Sequence, residues 1–167
     1  DGTLWMEVPS VGGRSPDVPV AVRPRAPAPQ TVAAAALDTR VQYFRRHTSA
    51  IDDSAFGWVT ASGVRGELDI EVTLALDPEE LPRNYVVRLY FAEVEDVREG
   101  ERRFDVRVQD HAALDDFDIV GAAGRVRRTV VKELRGVAVR DKLIVSLRGR
   151  TGSLPPQLNG LEVELDR

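Results

Sequence analysis

The 167-residue sequence has no cysteine and only two histidines, His47 and His111. The absence of cysteine excludes a disulfide framework, a thiolate zinc site and a cysteine nucleophile. Neither histidine lies in a recognisable nucleophile sequence, which leaves little basis for a Ser–His–acid triad. Acidic residues are plentiful, but no known catalytic motif surrounds them, and no phosphate-binding glycine loop is present. We therefore expect a non-catalytic protein.

Long apolar runs and an excess of positive charge are also missing. No stretch approaches the roughly 20 apolar residues of a membrane helix, so we expect no membrane partner. The formal net charge is −4 and the sequence pI is near 5.3. This balance argues against a nucleic-acid partner, because such proteins usually carry a basic face. The N-terminus shows no basic-then-apolar export signal, as in a mature protein or an excised domain.

Lysine is scarce compared with arginine, at 2 residues against 21. Together with abundant alanine, valine and glycine, this ratio is typical of a GC-rich genome, and we expect a bacterial source. For the same reason, a single arginine in this sequence is weak evidence for a ligand clamp.

Proline divides the chain into two regions. Six of the ten prolines lie in residues 1–31, where the missing N–H groups favour extended chain and turns over the interior of a sheet. Within this region, Gly2 to Val8 is a candidate strand, and Arg23 to Gln30 has the composition of a polyproline-type linker. Residues 32–37 are an alanine run that fits one helical turn. We predict an N-terminal extension or linker at 1–31 and a folded domain at 32–167.

Apolar and polar residues alternate along several segments after Val41. From residue 68 to residue 76, Leu, Ile and Val alternate with charged or small residues, as expected for a strand with one buried face. Similar alternation returns at 85–91, 104–108, 143–147 and 161–165. Turn residues separate these segments, and no long amphipathic helix is evident. The pattern predicts an all-β protein, either an antiparallel β-sandwich or a barrel.

Five sequence elements follow one another in a characteristic order between Tyr85 and Leu165. They are FAE at 91–93, a turn with glycine, RRFDV at 102–106, DFDI at 116–119 followed by glycine, and NGLEVEL at 159–165. In this order the sequence resembles the malectin-like family over residues 41–167. The resemblance implies a jelly-roll sandwich of the galactose-binding-like type and a glycan or oligosaccharide ligand. It also implies neighbouring domains in a larger bacterial protein and an extracytoplasmic location.

Most residues of these elements have a structural interpretation. Three phenylalanines fall in phase with apolar strand faces or fill a turn, and they are predicted in the core: Phe91, Phe104 and Phe117. Glu93 is expected on the opposite face, in an exposed ion pair with Arg102 or Arg107 that contributes little to stability. The elements that identify the family are therefore mainly elements of its fold.

Sugar sites in malectin-like modules combine aromatic rings, which stack on the apolar faces of sugars, with acidic groups that bind hydroxyls. The loop that supplies an aromatic pair in malectin carries Glu95 and Asp96 here, so the resemblance implies a different pocket. The predicted ligand-binding residues are Tyr43, Phe44, His47, Phe56, Trp58, Glu95 and Asp96, and Trp5 and Tyr90 are further stacking candidates. Packing at the end of the sandwich is the alternative role for Trp58.

Two acidic runs offer oxygen ligands to calcium, namely Asp52–Asp53 and the group Asp115, Asp116 and Asp118. Calcium takes about six to eight converging oxygens, which two short runs do not establish. Solvated acidic loops are the expected alternative, and no cofactor is predicted.

Two functions remain open. The first is a non-catalytic carbohydrate-binding module of a larger bacterial protein. The second is a structural or protein-interaction β-sandwich that has lost the sugar pocket. An exposed patch formed by Tyr43, Phe44 and Trp58 would favour the first function, whereas buried or scattered rings would favour the second.

Overall fold

The structure is a computed structural model that describes residues 20–25, 41–52, 55–74 and 82–166. The candidate strand at Gly2 to Val8, the alanine run at 32–37 and the predicted boundary near residue 31 lie outside the described residues.

Strands form most of the described chain. Their bounds are β1 Val20–Pro24, β2 Gln42–Arg45, β3 Ser62–Arg65, β4 Leu68–Thr73, β5 Arg83–Phe91, β6 Arg103–Val108, β7 His111–Asp118, β8 Val130–Val139, β9 Lys142–Gly149, β10 Gln157–Leu158 and β11 Gly160–Leu165. Two short helices, α1 Gly57–Thr60 and α2 Ile119–Ala123, and a 3-10 turn at Thr48–Ala50 interrupt them.

The first layer is a five-stranded antiparallel sheet in the order β1-β4-β9-β6-β7. Along β4, buried Leu68, Ile70 and Val72 alternate with half-buried residues, as the sequence predicts. The proline content predicted a linker that includes residues 23 and 24. This prediction is wrong for these two residues, because they belong to β1, which pairs antiparallel with β4. Pro24 is tolerated there because β1 is an edge strand and needs no donor on its outer side.

The second layer consists of two three-stranded sheets, β10-β3-β2 and β11-β5-β8. Only Asn159 separates β10 from β11, so the two sheets meet along one nearly continuous strand. Asn159 is buried and joins them: its Oδ1 accepts the Ala92 N–H at 2.9 Å, and its Nδ2 donates to the Thr60 carbonyl at 2.6 Å. The side chain of Gln157 also donates to this Oδ1, at 3.2 Å.

The main core lies between the two layers and contains three packed phenylalanine rings. The ring of Phe117 lies 4.8 Å from that of Phe91 and 5.6 Å from that of Phe104, between ring centroids. All three are buried, as the sequence predicts. The inner face of β5, with Val87, Leu89 and Phe91, packs in this core, so Tyr90 and Arg88 belong to the outer face of the second layer.

The predicted fold class is confirmed, because the strands form antiparallel sheets in two layers around one main core. Within the described ranges, no helix has the length and apolar character needed to cross a membrane.

Candidate functional site

Five of the seven predicted ligand residues lie on β2 or on the segment between β2 and β3. This β2–β3 segment comprises residues 46–61, with 53 and 54 not described. Its two ends lie side by side, because the Arg46 N–H donates to the Ala61 carbonyl at 2.7 Å. Phe56 of this segment packs on the outer face of the second layer, where its ring lies 5.2 Å from that of Tyr90. The segment therefore covers the outer face of the second layer.

Trp58 is the exposed residue of helix α1. The other three residues of α1 are buried, whereas 51% of Trp58 is accessible to solvent. The helix is anchored through Thr60. Its hydroxyl donates to the Phe56 carbonyl at 3.0 Å and lies 2.9 Å from the Thr129 hydroxyl. A large aromatic side chain is thus presented to solvent on an anchored backbone.

Tyr43 and Phe44 lie on opposite faces of β2. Phe44 packs against a small cluster on the outer face of the second layer, formed by Ile51, Ala61, Ala92 and Val94. Tyr43 pairs in register with Val64 of the main core, which places it on the inner side at the sheet edge, where it is 45% exposed. The two rings therefore do not form a single stacking surface.

The ring of Phe44 contacts two residues of β3. The guanidinium carbon of Arg65 lies 4.5 Å from the centre of its ring, within the range of a cation–π contact. The ring also approaches Gly63 so closely that a Cβ at position 63 would lie 2.6 Å from Phe44 Cζ. Phe44 thus serves packing, and a glycine is needed at position 63 to admit the ring.

Phe56 and Tyr90 also serve packing. Tyr90 is 2% exposed, so the expectation that it could stack on a ligand is wrong. Its hydroxyl donates to Glu162 Oε2 at 2.5 Å, and burial is the main cause that raises the pKa of Tyr90 above its usual value. The β2–β3 segment covers Tyr90, which sequence periodicity alone placed on a solvent face.

His47 caps the 3-10 turn at Thr48–Ala50. Its Nδ1 accepts the Ser49 N–H at 3.2 Å and lies 2.9 Å from the Ser49 hydroxyl. This is the geometry of a capping side chain, in which the histidine satisfies a backbone donor at the start of the turn.

Glu95 lies among three arginines. Its Oε1 accepts a hydrogen bond from Arg65 at 2.7 Å and lies 3.7 Å from Arg46, and its Oε2 lies 3.9 Å from Arg102. The hydrogen bond from Arg65 is the main cause that lowers the pKa of Glu95 below its usual value. The second predicted acid, Asp96, is exposed and pairs with Arg127 at 3.2 Å. Both carboxylates therefore already bind arginine.

Glu93 forms a buried ion pair with Arg102, contrary to the exposed pair expected from the sequence. The Arg102 Nε donates to Glu93 Oε2 at 2.6 Å, and the two residues are 2% and 0% exposed. Arg102 also donates to the Pro155 carbonyl at 2.5 Å, which connects β6 with the segment before β10. This buried pair also contacts the other two members of the cluster: Glu93 lies 3.8 Å from Arg65, and Arg102 lies 3.9 Å from Glu95.

The described residues of the acidic runs considered for calcium are bound to arginine or to backbone. Asp52 pairs with Arg125 at 2.9 Å, while Asp53 lies outside the described residues. Asp118 caps α2, accepting the Gly121 N–H at 3.0 Å. Among the residues the structure describes, no group of three or more histidine, aspartate or glutamate side chains has the arrangement of a metal site.

A polar cleft of about 620 Å³ lies on the first layer, at the β6–β7 hairpin. Its walls are Gly100 before β6, Arg103 and Asp105 of β6, Asp116 of β7, and residues 149–153 at the end of β9 and in the turn after it. Asp105 Oδ1 accepts from Arg150 Nε at 2.9 Å and Nη2 at 2.6 Å. Sequence reasoning missed this cleft, although the alternation of Arg103 and Asp105 with core residues of β6 placed both on the outer face.

Comparison with known protein families matches residues 80–153 to the malectin domain. The resemblance predicted from the sequence is thereby confirmed over this range. No curated protein sequence matches the chain significantly.

Several solved structures share the fold. The ANXUR1 extracellular domain from Arabidopsis thaliana aligns with 75% of this chain and 39% of its own, at 14% identity and a TM-score of 0.62. A Bacteroides uniformis beta-glucuronidase aligns with 75% of this chain and 14% of its own, at 14% identity and a TM-score of 0.59. A chain in the crystal structure of the plant peptide RALF23 in complex with FER and LLG2 aligns with 65% of this chain and 32% of its own, at 17% identity and a TM-score of 0.53. This chain spans less than half of each of these structures.

Proposed function

From the malectin-like domain at residues 80–153, we propose that this chain is a non-catalytic carbohydrate-binding module. In this proposal it holds a larger, extracytoplasmic bacterial protein on a glycan. The ligand site is the outer surface of the β2–β3 segment, and Trp58 is its stacking platform.

The exposure of Trp58 is the observation that carries this proposal. Half of its surface faces solvent although the helix around it is buried and anchored. Leaving half of a large aromatic side chain exposed forgoes roughly half of the 1.5–3 kcal/mol that full burial supplies, so such a ring on a fixed backbone fits a binding contact. Flat aromatic rings suit the apolar faces of sugar rings, and their preordered side chains lose little entropy on binding.

Polar groups lie on the same segment and at its base. Arg46 is exposed, and its backbone pairs with Ala61, directly after α1. The carboxylate of Glu95 is 40% exposed and lies 3.7 Å from Arg46. Guanidinium and carboxylate groups can donate to and accept from sugar hydroxyls, so the β2–β3 segment and its neighbour Glu95 supply hydrogen-bonding groups as well as the Trp58 ring.

The absence of catalysis in this proposal is supported by the roles of the candidate groups. His47 caps a turn, and the carboxylates of Glu93, Glu95 and Asp96 are bound to arginines. A general acid needs a raised pKa, whereas Arg65 lowers that of Glu95.

A protein-interaction module is the second candidate function. It is favoured by the Arg65–Glu95 hydrogen bond, because a sugar hydroxyl would have to compete with a charge-assisted contact of 2.7 Å. The same surface would then bind a protein or peptide, with Trp58 as an anchor residue.

A glycan-array screen of the folded domain tests the proposal, with Trp58→Ala beside the wild type. We expect binding to one glycan class and a loss of about tenfold or more in Trp58→Ala, because a central aromatic contact is removed. Tyr43→Ala is the matched control: its ring is similarly exposed but lies on the other face of β2, so binding should be retained.

Thermal melting of the three proteins shows whether each is folded, and a calcium-chelator arm tests for a metal requirement. A folded wild type that binds no glycan would move the assignment to the protein-interaction module. Equal binding by wild type and Trp58→Ala would place the sugar site elsewhere on the domain.

A further inference from the structure

The polar cleft at the β6–β7 hairpin is separate from the Trp58 surface. Phe104 and Val106 of β6 point into the main core, so Arg103 and Asp105 lie on the outer face of the first layer. The β2–β3 segment covers the outer face of the second layer. The two surfaces are therefore on opposite sides of the sandwich.

The cleft is built from planar charged side chains that hold one another in place. Arg150 binds Asp105 through two nitrogens and reaches Asp115 at 2.7 Å. Arg103 pairs with Asp116. The Asp116 N–H donates to Asp105 at 2.7 Å. This network fixes both guanidinium and both cleft carboxylate groups before any ligand arrives, which lowers the entropic cost of binding.

Asp116 has an unusual backbone and an incompletely bonded carboxylate. Its φ of 52° lies in the left-handed region, at an irregularity in the β6–β7 pairing. Its Oδ1 is buried and accepts no hydrogen bond from the described residues, although Arg150 Nε lies 3.4 Å away. Because Oδ1 is shielded from solvent, a ligand can reach this carboxylate only through the 31% of the side chain that is exposed.

The charged groups at the cleft are paired with one another. Two guanidinium groups, of Arg103 and Arg150, face three carboxylates, of Asp105, Asp115 and Asp116. The excess of one carboxylate disfavours an anionic ligand, and a cationic ligand would have to displace a guanidinium group from its carboxylate partner. A neutral group that both donates and accepts hydrogen bonds suits this mixture best.

We infer that this cleft is a second binding site, for a neutral sugar that is held through a pair of adjacent hydroxyl groups. One hydroxyl donates to a carboxylate of the Asp105–Asp116 pair while its neighbour accepts from Arg103 or Arg150. A volume of about 620 Å³ falls within the range of small-ligand sites. None of the described residues that line the cleft is aromatic, so hydrogen bonds carry the interaction.

Amide chemical shifts in two-dimensional NMR test this inference on the whole chain. The probes are methyl α-D-glucopyranoside and methyl α-D-mannopyranoside, with glucuronate and glucosamine as charged counterparts. We expect saturable shifts at Asp116, Gly152 and Ser153 with at least one neutral glycoside, and weaker shifts with both charged sugars.

The test variant is Asp116→Asn, because asparagine tolerates the left-handed backbone while the charge is lost. Binding to the cleft should weaken about tenfold. Arg135→Ala, on the second layer, should bind as the wild type does. The melting temperature of each variant shows that it is folded.

Three results would overturn the inference: no shifts in the cleft with either neutral glycoside, equal or tighter binding of a charged sugar, or unchanged binding by Asp116→Asn. Trp58→Ala separates this site from the proposed function. Loss of array binding in Trp58→Ala with cleft shifts retained would establish two sites, and shifts confined to the β2–β3 segment would remove the cleft site alone.

Discussion

Replacing Arg102 with alanine is expected to lower the free energy of unfolding by about 3–5 kcal/mol. Arg102 is 2% exposed and donates at 2.6 Å to Glu93, which is fully buried. Without the guanidinium, the Glu93 carboxylate would remain buried with Arg65 as its nearest cation, at 3.8 Å. The Pro155 carbonyl would also lose a donor. Urea denaturation followed by circular dichroism measures the change.

The control for Arg102→Ala is Arg135→Ala. Arg135 also donates to a glutamate, because its Nε lies 2.7 Å from Glu133 Oε1, but the Arg135 side chain is 66% exposed. Exposed pairs contribute about 0–1 kcal/mol, so this variant should unfold close to the wild type. If both variants lost the same small amount, the buried pair would not have the structural role described above.

Replacing Asn159 with alanine is expected to cost about 3 kcal/mol or more of unfolding free energy. Its side chain bonds the Ala92 N–H, the Thr60 carbonyl and the amide of Gln157, all at the junction of the two sheets of the second layer. Each buried partner left unsatisfied costs about 1–3 kcal/mol. Chemical denaturation and the loss of hydrogen-exchange protection at Ala92 report the effect together.

Asn84→Ala is the matched control for Asn159→Ala. Asn84 is exposed near the start of β5, on the strand that pairs with β11. Surface substitutions of this kind usually change stability by less than about 0.5 kcal/mol. An Asn159→Ala protein as stable as Asn84→Ala would show that the sheet junction does not depend on this side chain.

The strands were predictable from sequence because their inner faces follow a period of two. Leu68, Ile70 and Val72 show this directly, and Phe91 and Phe104 are buried as their phase predicts. The charge of a residue can mislead where the period does not. Glu93 is in phase with Leu89 and Phe91, but a carboxylate is buried there only because Arg102, nine residues away, pairs with it.

The candidate sites were predictable only in part, for a similar reason. The sequence does not show that Trp58 is exposed. Its exposure becomes clear only in the structure, where α1 buries Gly57 and Val59 and leaves Trp58 on the outside. Tyr43 and Phe44 are adjacent in sequence and therefore lie on opposite faces once β2 forms. The cleft needs residues from β6, β7 and the segment after β9, which tertiary structure alone brings together.

The fluorescence of Trp58 tests the central claim most directly. The chain has two tryptophans, Trp5 and Trp58, so Trp5→Phe leaves Trp58 as the single reporter. This variant is titrated with a panel of neutral and uronic-acid disaccharides, with calorimetry in parallel. We predict a saturable shift of the Trp58 emission to shorter wavelength, with the same dissociation constant by both methods. Calorimetric binding without any change in Trp58 emission, or no binding across the panel, would contradict the assignment of this surface as the sugar site.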